Sequence, residues 1–211
     1  MMQLYKSFVP LVSIIIPTFN RVILLKRALD SVIAQSFKDF EIIIADDGSK
    51  DNTFDLVVEF QNKFENIRYL RHSNRKLPIN LNTAIQTSIG KYITFLGSDD
   101  EYKTNHIELR VKEIESNDFD FIHGGVEVVG NPYVKDKFDR SKLVHLDQCT
   151  IGGTFFAKRE VFINMNGFKN IEYSEDSDFF ERAKNKFKIK KVDHPTYIYY
   201  RDTPDSICNN I

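Results

Sequence analysis

Two adjacent carboxylates close the run Phe95-Leu96-Gly97-Ser98-Asp99-Asp100-Glu101. Tyr92, Ile93, Phe95 and Leu96 predict a buried strand, and Gly97-Ser98 ends it. Asp99 and Asp100 then stand at the carboxyl end of a strand, the edge where open α/β sheets collect their ligands. Hard cations such as Mg²⁺ and Mn²⁺ take oxygen donors and bridge one or two carboxylates to substrate phosphates. Paired acids are also ordinary in a solvated turn, so this pair alone does not choose between the two.

Two more apolar runs end in the same manner. Val12 to Ile16 leads into Pro17-Thr18-Phe19-Asn20-Arg21, and Phe40 to Ala45 leads into Asp46-Asp47-Gly48-Ser49. Hydroxyl, amide, carboxylate and glycine at three strand ends suit a nucleotide. Asp47 could accept a hydrogen bond from a base imide N–H, Thr18 and Asn20 could add polar contacts, and Phe19 an apolar wall. Arg21 and Asp46 belong to the same polar ends. Arg68, Arg71, His72, Arg75 and Lys76 surround the loop after the third strand, where the guanidinium fork of Arg75 could offset diphosphate charge. A solvated basic loop is the equal alternative.

A second constellation is Tyr173-Ser174-Glu175-Asp176-Ser177-Asp178-Phe179-Phe180-Glu181-Arg182, a helix N-terminus rich in acids. Such acids complement the helix dipole, at about 0.3–1 kcal/mol each. A positioned carboxylate can also act as a general base.

The elements that must position these groups follow from periodicity. Ile23 to about Gln35 predicts an amphipathic helix, and Asn52-Thr53 opens another through Phe60. Ile67–Leu70 reads as a short strand. Pro78 opens a helix through Leu81, Ala84 and Ile85 that Gly90 ends. Thr104 caps a helix through Ile114, before a strand from Phe119 to Ile122. Gly152-Gly153 are read as turn residues entering a strand to Ala157, with a short helix from Arg159 to Met165. Residues 130–148 read as an irregular or short-stranded excursion. The alternation predicts an α/β fold with a mostly parallel central sheet flanked by helices. We expect one domain over residues 1–211, with a nucleotide-binding half to about 101 and an acceptor-side half from about 102.

Five segments together carry a resemblance. Ser13-Ile14-Ile15-Ile16-Pro17-Thr18-Phe19-Asn20-Arg21, Asp46-Asp47-Gly48-Ser49, Leu81-Asn82-Thr83-Ala84-Ile85, Gly90-Lys91-Tyr92-Ile93 and Ser98-Asp99-Asp100 occur in the order and spacing of the inverting family 2 glycosyltransferases. A looser similarity continues through Gly152-Gly153-Thr154, Gly167-Phe168 and Glu175-Asp176. The resemblance implies the nucleotide-diphospho-sugar transferase (A-type glycosyltransferase) fold. It also implies that Asp47 contacts the base and that Asp99-Asp100 stand in for the family's metal-binding Asp-x-Asp, taking Mn²⁺ or Mg²⁺. Asp176 would be the catalytic base, with Glu175 the fallback. UDP is the first guess for the donor nucleotide, and a saccharide or lipid-linked molecule for the acceptor, in bacterial surface polysaccharide or oligosaccharide assembly. The chain departs from the pattern at Tyr200-Arg201-Asp202-Thr203, which lacks the histidine often found after this Tyr-Arg pair. It also has no Gln-x-x-Arg-Trp segment, so transfer of a single residue is expected rather than polymerisation.

Composition bounds the remaining classes. A formal charge of −1 over 211 residues supplies no global field for nucleic acid. Cys149 and Cys208 have no metal or framework spacing and read as free thiols of a reducing compartment. No run approaches the roughly 20 apolar residues of a membrane span, and Met1 to Lys6 lack a signal peptide's apolar stretch. We expect a cytoplasmic protein with at most peripheral contact at the inner face of the membrane. Lys184 to Lys191 read as a solvated helix end and edge strand, or as a surface for anionic lipid. His123, His145 and His194 share no ligand spacing. Dinucleotide, phosphate-loop and nucleophile-elbow signatures are absent. Two alternatives stay open: a non-catalytic nucleotide-sugar-binding module, and a sugar-nucleotide nucleotidyltransferase. The latter would be expected to carry a glycine- and basic-rich N-terminal loop, which Pro17-Thr18-Phe19-Asn20 does not resemble. The sequence carries no signal of oligomeric state.

Overall fold

Continuous β-branched runs demand cover on both faces, and the chain supplies it with helices between successive strands. A computed structural model describes residues 9–203; the Met1–Lys6 stretch and Cys208 lie outside the described residues. The first half runs β1 (Val12–Thr18), α1 (Val22–Ile33), β2 (Phe40–Asp46), α2 (Thr53–Gln61), β3 (Ile67–Arg71), α3 (Leu77–Thr87) and β4 (Tyr92–Phe95). Next come β5 (Glu101–Tyr102), α4 (His106–Ser116), β6 (Phe121–His123), β7 (Val126–Val129), β8 (Tyr133–Lys135) and β9 (Leu143–His145). The described chain closes with β10 (Phe156–Lys158), α5 (Arg159–Asn164), α6 (Glu175–Ala183), β11 (Ile189–Lys191) and β12 (Tyr197–Tyr200).

The main sheet has the order β11-β6-β10-β4-β1-β2-β3. β10 runs antiparallel to both of its neighbours, and the other pairings are parallel. Strand alternation divides the core into two layers. Val12, Ile14, Ile16, Ile42 and Ile44 pack with Leu25 and Leu29 of α1, Val57 of α2 and Ile107 of α4. Ile15, Ile43, Ile93 and Phe95 pack with Leu81 and Ile85 of α3, Phe162 of α5 and Phe179 of α6. The expected α/β class with a mostly parallel sheet and flanking helices is thus observed.

Local expectations differ at several points. Gly90 does not end α3, which stops at Thr87 with Ser88 already extended. Gly90 is instead a site of close approach: a Cβ there would sit 2.7 Å from the Ser13 backbone nitrogen. Thr104 is not a helix cap, because α4 begins at His106 with Asn105 before it. The strand expected at Phe119–Ile122 is shifted to Phe121–His123. Gly152–Thr154 forms a 3-10 turn, and the strand begins only at Phe156. The 130–148 excursion, by contrast, is short-stranded as one of its two readings had it, and forms the β8–β9 hairpin. A second sheet of order β5-β12-β7 was not expected at all.

Candidate active site

Parallel strands β1, β2 and β4 deliver their carboxyl ends to one edge, and a cavity of about 920 Å³ opens there. Thr18, Phe19, Asn20, Arg21, Asp47, Asp99, Asp100, Glu175 and Asp176 all line it. Asp46 and Arg75 do not.

The Asp46 carboxylate is fully buried and shapes the turn after β2: it accepts from Ser49 N (2.8 Å) and Ser49 Oγ (2.6 Å), and from the Tyr69 hydroxyl. Asp47 faces the cavity but also binds its own chain, taking the amides of Arg75 (2.8 Å) and Lys76 (3.0 Å) on its two oxygens. Arg75 therefore contributes through its backbone, with its side chain exposed. Asn20 braces two loops, since its amide oxygen accepts from Lys50 N (2.7 Å) and its N–H donates to Ser49 Oγ (2.8 Å). Phe19 is 41% exposed on the rim. Thr18 Oγ1 and Asn80 Oδ1 are buried polar atoms of the cavity wall without a protein partner.

The β4 end holds the two acids differently. Asp99 Oδ2 lies 2.8 Å from Arg21 Nη1, an ion pair that ties it to the start of α1. Asp100 is 3% exposed; its Oδ1 accepts from Tyr200 N (2.9 Å) and its Oδ2 from the Tyr197 hydroxyl (2.5 Å). Burial, and then the neighbouring charge of Asp99, push the Asp100 carboxyl up to about 8. The Asp100 carboxylate is bonded by a hydroxyl and an amide, and its oxygens are hard donors. The pair therefore fits a divalent cation such as Mn²⁺ or Mg²⁺. Among the described residues no cluster of three or more His, Cys, Asp or Glu side chains could hold a metal. Further oxygens would have to come from a bound diphosphate or water.

Across the cavity, Ser174 precedes α6 in a left-handed conformation (φ 63°, ψ 37°). This turns the chain so that Asp176 meets the 152–154 turn. Asp176 Oδ2 accepts from Gly152 N (2.9 Å) and Oδ1 from Ser177 N (2.7 Å). Burial raises the Asp176 carboxyl; burial and then Asp176 raise Glu175 to about 7. Glu175 is thereby tuned toward exchanging a proton near neutral pH, and Asp176 is shifted in the same direction. The β8–β9 hairpin walls this side, with Lys137 Nζ 2.7 Å from Ser177 Oγ.

Sequence reasoning missed Tyr197, Tyr199, Asn80 and the placing of the hairpin at this cavity. The signal for the tyrosines was present in Tyr197-Ile198-Tyr199, where a period of two puts both rings on one side of a strand. Both line the cavity.

The family model described as "Glycosyl transferase family 2" matches residues 13–205. The chain is 30% identical over 210 residues to "Uncharacterized glycosyltransferase RP339" of Rickettsia prowazekii, covering 91% of this chain and 64% of that protein. It is 33% identical over 147 residues to the Escherichia coli protein "UDP-Glc:alpha-D-GlcNAc-diphosphoundecaprenol beta-1,3-glucosyltransferase WfgD", covering 67% of this chain and 57% of the relative. Among solved structures, S. aureus TarS 1-349 in complex with UDP-GlcNAc superposes with a TM-score of 0.79 at 20% identity, over 93% of this chain and 60% of that one. The chain spans less than two thirds of the length of these relatives.

Proposed function

Because the chain belongs to glycosyl transferase family 2, we propose that it moves one sugar from a nucleotide-diphospho-sugar to an acceptor hydroxyl, with inversion at the anomeric carbon. The observation that carries this reading is one cavity lined both by Asp47, Asp99 and Asp100 after strands β2 and β4 and by Glu175 and Asp176 at the start of α6. The donor nucleotide would lie along the ends of β1, β2 and β4, its base near Thr18, Phe19 and Asp47. Asp99 and Asp100 would hold Mn²⁺ or Mg²⁺ against the diphosphate. When bound, the cation supplies charge neutralisation to the leaving nucleotide diphosphate. Arg21 adds fixed positive charge beside Asp99.

Asp176 takes the proton of the acceptor hydroxyl. The oxygen forms its bond to the anomeric carbon as the bond to the diphosphate breaks, and the electron pair leaves with the nucleotide. One displacement suffices, so no covalent enzyme intermediate forms. UDP is the favoured donor nucleotide, in line with the UDP-GlcNAc bound by a structural neighbour and the UDP-Glc for which a relative is named. A lipid-linked saccharide is the favoured acceptor, as in the relative named for a diphosphoundecaprenol substrate. Among the described residues no helix is long and apolar enough to cross a membrane. We place the reaction in the cytoplasm, at the membrane face that carries such an acceptor.

A thermal-shift screen of UDP-, GDP- and dTDP-sugars, with and without Mn²⁺, tests the reading. Ligand binding to the native state raises stability as RT ln(1 + [L]/Kd), so the correct base stands out. A Mn²⁺-dependent shift with a UDP-sugar, followed by turnover with a lipid-linked saccharide, is expected. Binding without transfer to any hydroxyl acceptor would favour the non-catalytic module.

A further inference from the structure

The hydroxyl of Tyr197 meets groups from two other parts of the chain, the β4 end and the 152–154 turn. It donates to Asp100 Oδ2 at 2.5 Å and accepts from Gly97 N at 3.1 Å. Donating while accepting polarises an O–H group and shortens its bond to a carboxylate. Its other side abuts Gly153, where an added Cβ would stand 2.3 Å from the hydroxyl oxygen. Gly153 follows the residue whose N–H binds Asp176.

The ring itself is held fast. Tyr197 is 2% exposed and lies edge-on to Tyr102, with centroids 5.7 Å apart. Tyr102 stacks on His106 at 3.8 Å and donates to Phe95 O at 2.7 Å. Arg110 Nε donates to His106 Nε2 (2.9 Å), which leaves the proton on Nδ1 for Thr196 Oγ1 (2.9 Å). The residue before Tyr197 is therefore pinned as well.

We propose that Tyr197 is a positioning residue that fixes the Asp100 carboxylate for a divalent cation, and that Gly152-Gly153 set this metal site in register with the base Asp176. The inference rests on the reading of Asp100 as a metal ligand. Groups that orient a ligating carboxylate through its outer hydrogen bonds govern metal affinity, and their removal typically weakens it about 10–100-fold. A tyrosine held only for packing would leave that affinity alone when its oxygen is removed.

The test measures Mn²⁺ binding to the UDP complex by the electron paramagnetic resonance signal of free Mn²⁺, and UDP binding in EDTA by calorimetry. Tyr197→Phe should lower Mn²⁺ affinity by about 10–100-fold and leave the EDTA affinity for UDP and the circular dichroism spectrum unchanged. Gly153→Ala, which displaces the hydroxyl without deleting it, should shift Mn²⁺ affinity in the same direction. Asp100→Asn is the reference and should abolish Mn²⁺ binding. If Asp100→Asn loses Mn²⁺ while Tyr197→Phe binds it as the wild type does, the positioning role is overturned and the metal reading stands. If Asp100→Asn also binds Mn²⁺ normally, the metal reading is overturned and the proposal falls with it.

Discussion

Asp176 and Glu175 are neighbours in sequence, but only Asp176 is anchored by the 152–154 turn, through its bond from Gly152 N. That fixed geometry favours Asp176 as the base. Asp176→Asn keeps size and can still accept a hydrogen bond, yet it cannot take a proton. Transfer should fall by about 10²–10⁴-fold with donor binding retained. Should Glu175→Gln be the inactive variant instead, the role moves to Glu175. Because a base must be ionised, the rate should climb as pH rises, following the raised Asp176 carboxyl. Stability moves the other way. Folding favours protonated Glu175, so its contribution is complete below its ordinary value of 4.5 and is lost as pH rises through about 7. Urea unfolding across pH 4–8 should show this decline, and Glu175→Gln should make it shallower, leaving the part that the raised Asp100 and Asp176 carboxyls supply.

At the level of elements, α3 is tied to the turn at Gly167-Phe168 by reciprocal bonds. Asn82 Nδ2 donates to Phe168 O and Phe168 N donates to Asn82 Oδ1, both at 2.8 Å. Asn82→Ala strands both backbone groups and should cost about 1–3 kcal/mol in chemical unfolding, while nucleotide affinity is retained. The same elements show what the sequence could reveal. β1, β2 and β4 were legible because seven- and four-residue apolar runs have one stable placement, buried on both faces. Their polar ends therefore marked the cavity edge. The second sheet was not legible, because β5 has two residues and β7 alternates between half-buried and exposed positions. Such strands are defined by partners distant in sequence. The tyrosines of β12 escaped for this reason, and with them the contacts that orient Asp100; the turn at Gly152-Gly153 was legible, but its bond to Asp176 was not.

On the scale of the whole molecule, the two core layers bury histidines that cannot charge cheaply. His106 is fully buried and held well below its ordinary value, first by desolvation and then by Arg110. His123 is pushed down to about 4 by burial, then by Lys191 and Arg110. The unfolded chain binds these protons first, so stability is present above pH 6.5 and is lost as pH falls toward 4. His123→Gln should flatten that acid limb in a pH series of melting temperatures. The order of the chain also bears on when the site can form. Tyr197 lies 97 residues beyond Asp100, and their bond closes a loop that contains the hairpin, α5 and α6. During synthesis, β1 to β4 can therefore assemble their shared layers while the carboxylate at the β4 end still lacks its partner. A nascent chain stalled before β12 would carry a nucleotide cleft with an unoriented Asp100, and the site would be completed only when the last strand joins the second sheet.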